Sequence, residues 1–317
     1  MCENRRTFAP RNITISKDMK KAVVIIAAIL SLNLTSAWAD NNSTNNNVRT
    51  IKSPRFARPL VEKWIEEYAK TEPGTVFQIA KDQTESDLTV TIVQQEGTST
   101  DNFCHLLYFG ETAVLPITAR SSEAARLLEG KHLNAKKLKQ LFFLGDEFDD
   151  EVKNNTFERI TIYSGSNATS VASSFAHHFG ENNTNFRGKR IAGDDLFLNT
   201  AIAKDPLGVS FNTLSNIFDL QSRHLKSELS LVGLDLKKDV AGSFSDKGSL
   251  DEVLTILENE KPAEVTVEKV AITYNGTDEA VSRFLQWVLE NGTKYNHQYG
   301  LLNLNQRELS AQVSYVH

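Results

Sequence analysis

His177 and His178 stand side by side in this sequence, and histidine is the commonest ligand of a bound transition metal. Neighbours on a helix point about 100° apart, so the two cannot chelate one ion together. A place at a helix C-terminus, where the dipole favours a partial positive charge, suits them better. Asp235, Lys237, Asp239 and Gly242 are spaced like part of a calcium loop, but a lysine takes a ligand position and the glycine is misplaced. Ser164 and Ser166 lack the Gly-x-Ser-x-Gly setting that activates a nucleophile, and no acids pair in a glycosidase frame. Neither a Walker loop nor a dinucleotide loop occurs. The sequence therefore points away from an enzyme, and no cofactor or metal is expected.

The elements around these residues alternate in kind. Pro59 opens a helix over Leu60 to Lys70, with Leu60, Val61, Trp64, Ile65 and Tyr68 on one face. Strand-like runs follow at Thr75 to Ala80, Leu88 to Val93 and Leu106 to Thr118, and later at Glu158 to Ser164, Val209 to Phe211, Leu229 to Leu236 and Val265 to Tyr274. Asn134 caps a helix carrying Leu138, Leu141 and Phe142, and Ser249 with Glu252 forms a capping box ahead of Val253, Leu254 and Leu257. In the last helix, capped by Thr277 and stopped by Gly292, Val281, Phe284, Leu285, Val288 and Leu289 share a face, with Trp287 packing beside them. Strands alternating with helices predict an α/β protein with a mostly parallel sheet covered on both faces. At 317 residues the chain is long for one core, so two lobes are expected.

The beginning reads as an export signal. Lys20 and Lys21 precede an apolar run from Ala22 to Leu34, and Ala37-Trp38-Ala39 follows as a small-x-small cleavage site. The run is 13 residues long and contains Ser31 and Asn33, short of the roughly 20 a membrane anchor needs. Cleavage after Ala39 and a soluble periplasmic product without membrane insertion are expected, with translation beginning at Met19. Asp40 to Asn47, nearly all Asn, Ser and Thr, reads as a flexible spacer that gives way to the fold near residue 50. Loss of residues 1–39 removes six basic and two acidic side chains, leaving 29 basic against 38 acidic and a net charge of −9. Such a surface repels nucleic acid. Cys104 is the only cysteine left, so no disulfide forms within the mature chain.

Three stretches carry a resemblance. Ser53-Pro54-Arg55-Phe56-Ala57-Arg58-Pro59-Leu60 leads into Val61-Glu62-Lys63-Trp64. Leu133 through Phe142 to Gly145, Ile160 to Phe179 and Lys204-Asp205-Pro206-Leu207-Gly208-Val209-Ser210-Phe211 follow in order, and Arg283 to Leu304 closes with a helix, a glycine and a Tyr-Gly segment. Together they resemble the PstS-like substrate-binding proteins of phosphate ABC transporters, which have the type II periplasmic binding fold. The resemblance implies two lobes, each a mixed mostly parallel sheet flanked by helices. Residues 51–117 with 272–317 would form lobe 1 and residues 118–271 lobe 2, the chain crossing near Pro116 to Thr118 and near Ile272 to Asn275. A ligand would lie in the cleft between them, and lobes of this kind close on it by hinge motion.

The family holds an oxyanion with backbone N–H groups and hydroxyls at helix starts, where the dipole favours negative charge. Carried onto this chain, the anion cleft is Arg55, Phe56 and Arg58 before the first helix and Ser164, Thr169 and Ser170 before another; each place also reads as an ordinary helix cap. The chain departs from the pattern. Ser164 stands where the family has an arginine, Ala168-Thr169-Ser170 replaces Ser-Gly-Thr, and Lys81-Asp82-Gln83-Thr84-Glu85-Ser86 replaces a Ser-Gly-rich loop. Removing one partner of a buried charge pair costs about 3 to 5 kcal/mol, and each ~1.4 kcal/mol is tenfold in affinity, so a micromolar phosphate site would weaken to the millimolar range. Two functions follow. One is a periplasmic receptor for a small anion, delivering it to an ABC transporter permease. The other is the same scaffold without a ligand, serving as an interaction or structural module of the envelope. A polar cleft lined by Arg55, Arg58, Thr169 and Ser170 goes with the first, and a cleft filled by Phe56 and its neighbours with the second.

Overall fold

The computed structural model of the protein describes residues 48–81, 85–93, 104–145, 155–166, 171–276 and 278–316; the expected leader, its cleavage site and the expected spacer over residues 40–47 lie outside them. The chain begins with β1 (Val48–Lys52), α1 (Arg58–Thr71), β2 (Val76–Ile79), β3 (Leu88–Val93) and a long β4 (Cys104–Ala119). Next come α2 (Glu123–Leu128), α3 (Ala135–Phe142), α4 (Asn155–Glu158), β5 (Thr161–Gly165), α5 (Val171–His178), β6 (Lys189–Ile191), α6 (Leu196–Lys204) and β7 (Gly208–Thr213). The rest is α7 (Leu214–Ile217), β8 (Leu229–Leu231), α8 (Lys238–Ala241), α9 (Leu250–Asn259), a long β9 (Thr266–Asn275), α10 (Glu279–Trp287) and α11 (Gln306–Val316).

Local chemistry sets these boundaries. Pro59 lies in the first turn of α1, where its missing N–H costs nothing, and Leu60, Val61, Trp64 and Tyr68 face inward. Asn134 accepts the Lys137 N–H ahead of α3, and Ser249 with Glu252 forms a capping box on α9. At α10 the cap differs from the expected one. Thr277 lies outside the described residues, and Asp278 accepts the N–H groups of both Ala280 and Val281 while Arg49 donates to the same carboxylate at 2.8 Å. A carboxylate complements the helix dipole better than a hydroxyl does. The α-helix ends at Trp287 and the chain continues in a π turn that ends at Gly292, the residue expected to close the helix.

One nine-stranded sheet runs in the order β2-β1-β3-β9-β4-β7-β5-β6, with β8 also on β4. Its flanks are parallel, β1 with β2 and β3 on one side and β5 with β6 and β7 on the other. Pairings made by β4 and β9 are antiparallel. A chain that passes into the far part of the sheet and later returns must do so in opposite directions, which explains the antiparallel middle of an otherwise βαβ arrangement. Side chains bury themselves in two clusters. One holds Ile51, Trp64, Leu107 and Phe109 with Val270, Ile272, Phe284 and Leu285. The other holds residues from Ala113 to Val265, including a stack in which the Phe175 and Phe211 rings lie 4.2 Å apart and 4° from parallel. The clusters change over along β4 between Phe109 and Ala113, and along β9 between Val267 and Val270. At the changeover the backbone of Leu302 pairs with Glu111. A Cβ on Gly110 would stand 2.7 Å from the Leu302 carbonyl, so only glycine lets this segment lie against β4.

Among the described residues no helix is long and apolar enough to cross a membrane.

Candidate functional site

The turn before α1 is closed by its own backbone, Pro54 O accepting from Ala57 N at 3.1 Å and Arg58 N at 3.0 Å. Arg55 is exposed. Phe56 points into the first cluster at 4 % exposure, so its contribution to any ligand is its backbone. Arg58 is exposed and spends its guanidinium on Glu62 one turn along the helix, Nε to Oε1 3.1 Å. These three share one turn. Ser164 belongs to the other cluster's side of the sheet: it is fully buried in β5, and its hydroxyl has no hydrogen-bond partner among the described residues. Thr169 and Ser170 lie outside the described residues.

The start of α5 engages a residue that sequence reasoning passed over. Val171 opens the helix, and its N–H donates to Asp195 Oδ2 at 3.2 Å. Asp195 precedes α6 but makes no side-chain cap on it; there Asp194 takes the Leu196 N–H. What fixes Asp195 is a string of amides. Asn212, fully buried at the end of β7, donates from Nδ2 to the Asp195 carbonyl at 2.8 Å and to Asn199 Oδ1 at 3.0 Å. Its own oxygen accepts from Thr213 N and from Asn216 Nδ2. The Asn216 carbonyl in turn accepts from Asn199 Nδ2 and Lys226 Nζ. Nearly every polar atom in the string is used, as burial requires. Asp195 Oδ1 is the exception, buried and accepting nothing among the described residues.

Burial pushes the Asp195 carboxyl up to about 6; the Val171 N–H opposes this and the neighbouring Asp194 charge adds to it. An unfolded aspartate titrates near ~3.9. Between these values the folded protein holds the proton more tightly, so stability falls as pH rises from about 4 to about 6 and the loss is complete above that. Asp195→Asn should remove this component. Urea unfolding at pH 4.5 and pH 7.5 should give the wild type a drop larger by about 2 kcal/mol than the variant's. Parallel pH profiles for the two proteins would contradict the assignment.

The histidine pair closes the far end of α5. His177 meets Glu268 on β9 at 3.3 Å, and His178 meets the Ala263 carbonyl at 2.8 Å, so the two rings serve different partners. Among the described residues no group of three or more His, Cys, Asp or Glu side chains could hold a metal ion.

No protein-family model matches the sequence, and no curated protein matches it either. Solved structures do. An ABC-type phosphate transport receptor from Vibrio cholerae is 11 % identical with a TM-score of 0.53, over 81 % of this chain and 100 % of that one. A protein from Clostridium perfringens, described as a phosphate ABC transporter substrate-binding protein with bound phosphate, is 12 % identical with a TM-score of 0.53, over 82 % of this chain and 100 % of that one. At such identity the likeness is one of fold. The protein therefore has the α/β fold of the phosphate-type substrate-binding proteins.

Proposed function

We propose that this chain is an exported solute-binding protein that takes a small ligand between two lobes and delivers it to an ABC transporter permease, without catalysis. The observation that carries the reading is the match over 81 to 82 % of this chain and the full length of two proteins of that fold, together with two separate cores joined through β4 and β9. Lobe 1 is proposed as residues 51–117 with 272–317 and lobe 2 as residues 118–271, with the cleft flanked by the turn before α1 and by the start of α5; the two cores change over a few residues earlier on each strand, Ala113, Val114, Leu115 and Ile117 packing in the second core and Val270 in the first. An oxyanion is the first ligand to try, with Arg55, Arg58, Thr169 and Ser170 as its surroundings and the backbone at Phe56 and Ser164 behind them.

A second reading has specific support. Phe56 and Ser164 are buried and Arg58 is paired within its own helix, as a scaffold that has lost its ligand and serves as an envelope interaction module would have them. A thermal-shift panel of oxyanions, sugars and amino acids separates the two. A ligand at 100 times its dissociation constant adds about 2.7 kcal/mol, roughly 5 to 11 °C at about 2 to 4 °C per kcal/mol. One solute giving such a shift supports the receptor, and a flat panel supports the module. Export has its own check: expressed with its leader in a Gram-negative host, the protein should appear in the periplasmic fraction beginning at Asp40. Mass spectrometry finding an intact leader would refute periplasmic release.

A further inference from the structure

Besides β4 and β9, a third length of chain touches both cores. The closing segment is rooted in the first core, where the Gly292 carbonyl accepts the Trp64 indole N–H at 2.9 Å, Asn296 Nδ2 donates to the Phe109 carbonyl at 3.0 Å and Leu301 is buried. Beyond that root, residues 297–303 are held by α9, whose apolar face belongs to the second core. Glu258 Oε1 meets His297 Nε2 at 2.7 Å and accepts the Asn303 N–H at 2.6 Å. Asp251, seven residues earlier on the same helix, works through Arg223. The guanidinium donates to Asp251 at 2.6 Å and to the carbonyls of His297 and Gln298 at 2.8 and 3.1 Å.

Arg223 sits in a conformation that arginine seldom adopts. Its φ is +64°, the left-handed region that glycine enters freely. The turn pins it there, its N–H donating to the Asp219 carbonyl and its carbonyl accepting the Leu250 N–H, both at 2.8 Å. Strain of this kind persists only where the surroundings over-determine it, and it gathers at switch regions. What arginine adds over glycine is the guanidinium, whose described contacts all go to Asp251 and the loop. These contacts are releasable: the Asp251 and His297 side chains are 61 % and 38 % exposed, so water can take the place of either partner.

We infer that residues 297–303 form a strap that locks the two cores in this mutual arrangement, with Arg223 as its bolt, and that freeing it lets the cores turn about β4 and β9. Leu302 pairs with Glu111 at the changeover, on the line of such a turn. Arg223 grips the loop through Asp251, about 10 Å along α9 from Glu258, where a restraint has leverage. The device works in the same way whether or not a solute binds between the cores.

The test takes the chain from Asp40 onward with Cys104→Ser, spin-labelled through Gln78→Cys on β2 and Lys137→Cys on α3, both exposed positions. Pulsed electron paramagnetic resonance then reads the distance between the cores, and hydrogen exchange with mass spectrometry reads the loop. Arg223→Gly keeps the turn and removes the guanidinium. It should speed exchange in peptides covering 297–303 at least about tenfold and broaden the distance distribution or add a second distance, with residues 171–211 exchanging as before. Unchanged exchange overturns the strap. Faster exchange at an unchanged distance overturns it as well, because the loop then restrains nothing, and so does exchange that rises equally in residues 171–211. Should Arg223→Gly fail to fold, the exposed substitution Asp251→Asn, which removes the charge that positions the guanidinium, is read by the same two measurements and the same outcomes.

Discussion

Trp64→Ala should destabilise the protein by about 3 to 5 kcal/mol, the range for truncating a large aromatic in a core. Trp64 is fully buried, its ring meeting Phe109 edge-on at a centroid distance of 4.8 Å. Its indole N–H donates to the Gly292 carbonyl at 2.9 Å. Truncation would therefore open a cavity and also strand a buried acceptor, and an unpaired buried polar group adds roughly 1 to 3 kcal/mol of its own. Trp287, expected to pack beside the apolar face of the closing helix, is only partly buried and packs against the Tyr68 ring at 5.6 Å. Trp287→Ala should cost less than half as much. Denaturant unfolding of both variants decides the matter. A loss below about 1 kcal/mol at Trp64 would mean that α1 does not dock on the closing segment as described.

A comparable loss is expected from a single methyl group at Gly188. This glycine has φ +86°, and a Cβ there would stand 2.2 Å from the Ile162 carbonyl oxygen and 2.9 Å from the Ile162 nitrogen. Neither atom can rotate away, because both belong to the backbone of β5, which pairs with β6 from the next residue onward. An alanine would pay about 1 to 2 kcal/mol for the left-handed conformation and would also force the two strands apart. A total of about 3 kcal/mol or more is expected. Gly180 is the control. Its φ is +69° but nothing lies within 4 Å of its Cβ position, so Gly180→Ala should cost only the conformational part. Equal melting temperatures for the two variants would show that the β5 and β6 contact is looser than described.

Much of this architecture is legible in local sequence because it is decided locally. The inward face of α1, the Asn134 cap and the Ser249 to Glu252 capping box each depend on residues within four positions of one another. The strands Leu88 to Val93 and Val265 to Tyr274 announce themselves by β-branched runs. Glu158, expected to begin a strand, ends α4 instead, and β5 starts only at Thr161. The candidate site resists such reading for a physical reason. Asp195 looks like a cap for the helix it precedes, and nothing in its neighbourhood says that its carboxylate reaches back to α5. That contact exists because β5 and β6 are parallel neighbours whose last residues, Gly165 and Ile191, pair, which sets the turns that leave them side by side. Phe56 misleads in the opposite direction. It sits among polar and basic residues in a turn, yet the turn aims it into the core.

The changeover along β4 and β9 also orders the protein's birth. The cluster that begins at Ile51 needs Val270, Phe284 and Leu301 to be complete, whereas the other draws nearly all its members from Ala113 to Val265, Leu302 being the exception. A chain emerging from the ribosome at about 5 to 20 residues per second therefore finishes the middle of its sequence first, and carries its opening segment unsatisfied until almost the last residue has been made. The earliest part synthesised is the latest to fold. A truncation near the C-terminus should accordingly unravel the N-terminal helix while leaving the phenylalanine stack of the middle segment formed.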